Sequence, residues 1–178
     1  MDSSTLLPLG RVLIVGGNGF LGHHIVRKAL HEWSCTAVIA IDLRCTHNRV
    51  SEQVTYHEVD ITDLDALTKV LDASKPDLVI HTASPAAQSD APGSHERMYT
   101  VNVGGTTNVV EAARRTGVKA VVFTSSASVV SDTRSDLINA DERWPVIRGA
   151  LQVEYYTETK VRLFHYSPLL RQVSFLWG

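Results

Sequence analysis

The chain has 178 residues with 17 lysines and arginines against 19 aspartates and glutamates. That length suits one compact domain burying about two thirds of its unfolded surface, and the near-balance of charge leaves no broad basic face, which excludes nucleic acid and an anionic bilayer as general partners. Its two cysteines, Cys35 and Cys45, form neither a Cys-x-x-Cys pair nor a disulfide framework, so a reducing, intracellular compartment is expected and structural zinc is not.

Residues 1–10 carry Leu6, Leu7 and Leu9 around Pro8, without a basic leader, and read as a disordered segment with neither signal peptide nor anchor. No stretch approaches the roughly 18 apolar residues of a spanning helix. Residues 11–15 are a short β-branched strand, followed by the turn Gly16-Gly17-Asn18-Gly19-Phe20-Leu21-Gly22 and by Ile25, Val26, Ala29 and Leu30 at helical spacing. Residues 36–41 form a second apolar strand closed by Asp42. Residues 54–59 form a third, which Tyr56 and Glu58 make less apolar and place nearer an edge. Thr62 and Asp65 read as a capping box for a helix bearing Leu64, Leu67, Val70 and Leu71, and Pro76 stops it before a fourth strand at residues 78–80. From about Ser94 a single long helix is expected through Val101, Val109 and Ala112 to Arg115, capped by Gly117, with a fifth strand at residues 120–123. Residues 131–149 lack periodicity and read as a loop over the carboxyl edge of the sheet. Residues 153–165 predict one more helix, ended before Pro168, and residues 172–177 make at best one short apolar strand left exposed. Strands alternating with helices describe an α/β, doubly wound parallel sheet, the Rossmann fold, over residues 11–165, with residues 166–178 as an atypical tail.

The glycines at 16, 19 and 22 gain meaning from their place, directly after a strand and at the opening of a helix. There the missing side chains let backbone approach a pyrophosphate at the positive end of the helix, with Phe20 and Leu21 beginning that helix. Asp42 lies about twenty residues further on, where a carboxylate accepts from ribose hydroxyls and repels a 2′-phosphate. NAD is therefore expected rather than NADP, although Arg44 two residues later is a guanidinium of the kind that binds the extra phosphate. Asp60 and Ile61 follow strand three, where a carboxylate and a backbone amide suit an adenine edge; an ordinary helix-preceding aspartate reads the same way. His23, His24 and His31 read as helix surface, and no metal is expected.

Tyr156 and Lys160 share one helix face, and a nearby ammonium favours the tyrosinate, so the pair reads as a base whose phenol is pulled below its ordinary value near 10. Alone such a pair is usually a solvated one. Here it follows Phe123-Thr124-Ser125-Ser126, whose serines end strand five at the crevice where ligands of doubly wound sheets bind and where a hydroxyl can orient a substrate oxygen. Asn102, beside Gly104 and Gly105, reads either as an anchor for a proton-relaying water near Lys160 or as a buried amide bonded to backbone.

Taken in order, these residues resemble the extended short-chain dehydrogenase/reductase family, and within it the branch of 3β-hydroxysteroid dehydrogenases and decarboxylating sterol-4α-carboxylate 3-dehydrogenases. The resemblance covers residues 11 to about 160. It implies that Gly16, Gly19 and Gly22 are the cofactor glycines, that Tyr156 and Lys160 are catalytic, and that Ser126, with Ser125 as fallback, is the catalytic serine. His81-Thr82-Ala83-Ser84-Pro85 is similar to the branch's stretch beside the nicotinamide, which adds Thr82, Ala83 and Ser84 to the cofactor residues, and Asp141-Glu142-Arg143-Trp144-Pro145 with Glu154-Tyr155-Tyr156 is similar to its loop before the tyrosine. The implied function is NAD-dependent oxidation of a 3β-hydroxyl on a sterol, steroid or terpenoid to the ketone, with loss of a C4 carboxylate where one is present. The resemblance also implies a cytoplasmic enzyme peripheral to the endoplasmic reticulum that pairs as a homodimer through helices flanking the sheet.

After Lys160 the sequence reads Val161-Arg162-Leu163-Phe164-His165-Tyr166-Ser167-Pro168 and departs from that family, so a C-terminal substrate domain is expected to be missing. Two rival readings stand beside the first: a nucleotide-sugar epimerase or dehydratase using the same tyrosine and serine, and a truncated NAD-binding module without catalytic activity.

Overall fold

The computed structural model describes residues 8–85, 93–132, 134, 136–141, 143–149, 154–162 and 173–176. The expectations placed on residues 1–7, on the end of the last helix and on Pro168 lie outside them.

Six parallel strands stand in the order β3-β2-β1-β4-β5-β6. They are β1 (Gly10–Val15), β2 (Cys35–Asp42), β3 (Thr55–Glu58), β4 (Leu78–His81), β5 (Ala120–Thr124) and β6 (Val173–Leu176). β3 lies at the edge, as its polar residues predict. β6 falls within the short apolar strand expected at residues 172–177; its backbone pairs with β5, Val121 opposite Val173 and Thr124 opposite Leu176, at the other edge of the sheet.

Alternation along the strands divides two cores. Leu13, Val15, Ile39, Ile41 and Val79 face the helices α2 (Leu64–Ser74) and α4 (Thr106–Thr116), meeting Leu67, Leu71, Val109 and Ala112. Val12, Ile14, Val38, Ala40 and Ile80 face the opposite way, onto Val26 and Ala29 of α1 (Phe20–His31). Full burial of a side chain such as Leu67 or Leu71 contributes about 1.5–3 kcal/mol.

Two helical details differ from expectation. Asp63, not Thr62, caps α2: its Oδ1 accepts from the Ala66 amide at 2.9 Å, while Asp60 takes both the amide and the hydroxyl of Thr62 at 2.8 Å. The long helix is also not uniform. α3 (Ser94–Met98) passes into a π-helical stretch, Tyr99–Gly105, before α4 begins. Such wide turns are rare and cluster at functional sites, and this one carries Asn102 inward.

Candidate active site

β1 and β4 lie side by side where the strand order reverses, and the chain leaves their carboxyl ends in opposite directions, opening a crevice. Gly16 begins one wall. It sits at φ +79°, and a Cβ on it would stand 2.7 Å from the Ala83 amide nitrogen and 2.9 Å from Thr82 Oγ1. A Cβ on Gly22 would collide with the Gly16 carbonyl oxygen, so α1 reaches the strand only because position 22 has no side chain. Gly19 is the N-cap of α1; it offers no side-chain cap, and the first turn holds no acidic residue, which leaves the positive helix end suited to an anion.

A cavity of about 610 Å³ fills the crevice and brings together eight of the predicted cofactor residues, Gly16, Gly19, Asp42, Asp60, Ile61, Thr82, Ala83 and Ser84. Phe20 and Leu21 do not line it; their side chains are exposed at the start of α1. Gly22 lies behind the turn. The cavity also takes in Thr62 and, from the helix after the crevice, Glu96, Arg97, Thr100 and Val101, which sequence reasoning missed.

Asp42 works on the turn itself. One carboxylate oxygen accepts from the Asn18 amide at 3.0 Å and the other from the Leu43 amide at 2.8 Å, and each keeps lone-pair capacity for a hydroxyl. Asp60 is fixed by Thr62. Asn108 of α4 donates to the carbonyls of Ile61 and Thr62, both at 3.0 Å, tying the cavity floor to the helix behind it. Thr82 donates its hydroxyl to the Val15 carbonyl at 2.8 Å and so locks the two walls together.

The other half of the crevice is built by hydroxyls. Ser126 caps a 3-10 turn, Ala127–Val130, and α5 (Tyr155–Arg162) docks on that turn by packing Val161 against Val129 and Val130. This places the Tyr156 phenol within hydrogen bonding of Ser126 and of Ser84. Ser125 points elsewhere: its buried Oγ finds no hydrogen-bond partner among the described residues. Lys160 is 2% exposed, with Nζ 3.5 Å from the Thr124 carbonyl oxygen and 5.6 Å from the centre of the Tyr156 ring. Burial lowers its ammonium to about 8.

The expected acidification of Tyr156 is not supplied by these protein groups. Desolvation pushes the phenol above its ordinary value of 10, outweighing the hydrogen bonds from Ser84 and Ser126 that pull it down. Lys160 does not reverse this at its distance from the ring.

Asn102 bonds to side chains rather than to backbone, correcting one of its two readings. It is 1% exposed, its Oδ1 accepts from Ser84 Oγ at 3.0 Å, and its Nδ2 donates to Thr159 Oγ1 at 2.9 Å. Thr159, Ser128 and Thr157 carry no motif. A signal was nonetheless present: threonine is a poor interior helix residue, and two of them flank the lysine's approach in an eight-residue helix, where their hydroxyls have work outside it. His81, at the end of β4, is 1% exposed and lies 2.9 Å through Nε2 from Thr106 Oγ1; burial first and Lys160 second lower it to about 3, so it is neutral.

Residues 13–162 match the profile of the 3-beta hydroxysteroid dehydrogenase/isomerase family. The chain is 34% identical over 157 residues to a decarboxylating sterol-4-alpha-carboxylate 3-dehydrogenase of Saccharomyces cerevisiae, an alignment covering 84% of this chain and 43% of that protein. It is 35% identical over 166 residues to a Mycobacterium tuberculosis 3 beta-hydroxysteroid dehydrogenase/Delta 5-->4-isomerase, covering 90% of this chain and 42% of that one. Among solved structures, the UDP-glucose 4-epimerase of Thermus thermophilus in complex with NAD superposes with a TM-score of 0.72 at 28% identity, over 89% of this chain and 50% of that one. The chain thus spans less than half the length of the curated relatives it matches.

Proposed function

The chain belongs to the 3-beta hydroxysteroid dehydrogenase/isomerase family, and from that premise we propose that it carries the cofactor-binding and catalytic half of an NAD-dependent dehydrogenase. Its substrate is a 3β-hydroxyl on a sterol, steroid or related terpenoid, oxidised to the 3-ketone. The observation that carries the reading is Ser84, which lines the glycine-walled cavity and also hydrogen-bonds the Tyr156 phenol, so the dinucleotide cradle and the proposed base are one continuous site.

The cradle fits a dinucleotide: Gly16 and Gly22 let the turn close against Ala83 and Gly16 backbone where any Cβ would collide, and the uncapped end of α1 favours a phosphate. Gly16, Gly19 and the start of α1 at Phe20 and Leu21 hold the pyrophosphate, Asp42 the adenosine ribose, Asp60 and Ile61 the adenine, and Thr82, Ala83 and Ser84 the nicotinamide half. NAD, when bound, accepts the hydride and brings a positively charged ring. Tyr156 takes the hydroxyl proton and Ser126 orients the substrate oxygen. Lys160 holds its charge under the phenol, and Asn102 fixes Ser84 against α5. Because burial raises the phenol, the oxidised ring's charge is the contribution that makes it a base near neutral pH. If the alcohol carries a C4 carboxylate, the ketone is a β-keto acid; its carbonyl accepts the electron pair as carbon dioxide leaves, with no further group required.

The likeness to an epimerase rests on the fold, whereas the family match rests on sequence through the tyrosine and lysine, which favours the alcohol reading. Calorimetric titration with NAD and NADP, followed by NADH absorbance with a 3β-hydroxysteroid and a 4-carboxysterol, tests the proposal. Tight NAD binding with NADH release on either substrate is the expected result. NAD binding without NADH leaves a nucleotide-binding module and refutes the dehydrogenase reading for this chain.

A further inference from the structure

The helical segment after the crevice has two faces with different work. α3 and the π-helical stretch that continues it hold to the protein through His95, Met98, Tyr99 and Asn102. The His95 ring stacks on Tyr155 of α5 with centroids 4.2 Å apart and 12° between the planes, and Met98 is 4% exposed. The Arg162 guanidinium lies 5.5 Å from the centre of the Tyr99 ring, and Asn102 donates to Thr159 at 2.9 Å. The residues between these contacts, Glu96, Arg97, Thr100 and Val101, line the cavity. The backbone that carries Arg97 is thus held by contacts that Arg97 itself does not make.

For a site that takes an anion, the cavity is poor in positive charge. Among the described residues that line it, Asp42, Asp60 and Glu96 bring carboxylates, and Arg97 alone brings a cation. A dinucleotide carries a negative charge on each of its two phosphates, against which the end of α1 supplies about half a charge. Lys160 does not make up the difference, because it is 2% exposed, sits against the Thr124 carbonyl and does not line this cavity. Arg97 is exposed, and among the described residues its guanidinium makes no ion pair, hydrogen bond or ring contact, even with neighbouring Glu96. Arg114, Arg115, Arg143 and Arg162, by contrast, each hold a carboxylate.

Resting on the reading of this cavity as a dinucleotide cradle, we propose that Arg97 is a further cofactor-binding residue, whose guanidinium pairs with the pyrophosphate. The glycine turn after β1 holds the phosphates through backbone amides and the helix end, and Arg97 meets them from the wall that follows β4. A guanidinium suits this place because its planar fork matches phosphate oxygens and stays charged at any working pH. Asp42 and Asp60 are then left to the uncharged ribose and adenine. Since Arg97 reaches in from an exposed position, its pull on the phosphates is screened by salt.

The test is calorimetric titration of the full chain with NAD, at low and at raised salt. The parent is compared with Arg97→Ala, Arg97→Lys and Arg44→Ala; Arg44 is also exposed and without a partner among the described residues, but it does not line the cavity. Arg97→Ala is expected to bind NAD about tenfold more weakly at low salt, with the gap narrowing as salt rises. Arg97→Lys should recover most of the loss, and Arg44→Ala should stay near the parent. Unchanged affinity in Arg97→Ala, an equal loss in Arg44→Ala, or a loss that neither lysine nor salt alters overturns the pairing. Urea unfolding checks that each variant folds, and Arg97→Gln, which keeps the stem and loses the charge, repeats the measurement should the alanine variant not fold. A parent that binds NAD without releasing NADH ends the dehydrogenase reading and leaves this comparison intact, whereas a parent that binds no NAD overturns both.

Discussion

The two halves of the crevice are made by opposite means. Around Gly16, Gly19 and Gly22 the site is shaped by missing side chains, and backbone meets backbone across a turn of a few residues. Around Tyr156 it is shaped by side chains, with Ser84, Asn102, Ser126, Ser128, Thr157 and Thr159 joined through hydroxyl and amide groups. A steric cradle fails when anything is added. A polar network fails when anything is removed, because buried partners are left without hydrogen bonds.

That contrast makes the largest expected effect Gly22→Ala. Its methyl has no room against the Gly16 carbonyl, which is backbone and cannot swing aside, so a loss of about 3 kcal/mol or more is predicted in urea unfolding together with loss of NAD binding. Wild-type stability in that variant would break the steric account of this half. Next comes Asn102→Ala, which removes a buried amide and its two side-chain hydrogen bonds, to Ser84 and Thr159; about 2 kcal/mol of stability should disappear, and turnover should fall with NAD affinity little changed. If NAD affinity collapsed instead, the two halves would not be separable in the way described.

Taken per pH unit, the smallest effect is the slope of stability contributed by His81, which sits where the halves meet. Its folded value of about 3 lies below its ordinary 6.5, so the unfolded chain binds a proton that the folded chain refuses between those limits. Stability is then fully present above pH 6.5 and falls as pH drops towards 3, by at most about 1.4 kcal/mol per unit. Lys160, the charge that faces His81, stays protonated in both states over that window and adds no slope. His81→Leu should flatten the curve between pH 6.5 and 4; an unchanged slope would place the titration elsewhere.

The same contrast explains how much of the molecule was legible in its sequence. The strand–turn–helix unit is local: Gly22 meets Gly16 within two turns of chain, and the near-continuous apolar runs of residues 11–15 and 36–41 declare strands covered on both faces, so the doubly wound class and the cradle follow from pattern, whereas the strand order came from the structure. Hydroxyl networks leave no such pattern. Asn102 meets Thr159 across 57 positions and Thr157 meets Ser128 across 29, and serine and threonine occur on any polar surface. The resemblance to a family located Tyr156, Lys160 and Ser126 without their supports. The capping of α2 was missed for a related reason, since Asp60 competed for Thr62 and left Asp63 to cap. The direction of the Tyr156 shift was missed because spacing along a helix records the neighbouring charge and not the burial that opposes it.

The central claim is that the phenol beside the cradle removes the substrate proton. Measured side by side for the full chain and Tyr156→Phe, NADH release with a 3β-hydroxysteroid and NAD affinity by calorimetry decide it. The account predicts turnover reduced by about two orders of magnitude or more at nearly unchanged NAD affinity. Turnover that survives the loss of the hydroxyl would contradict it.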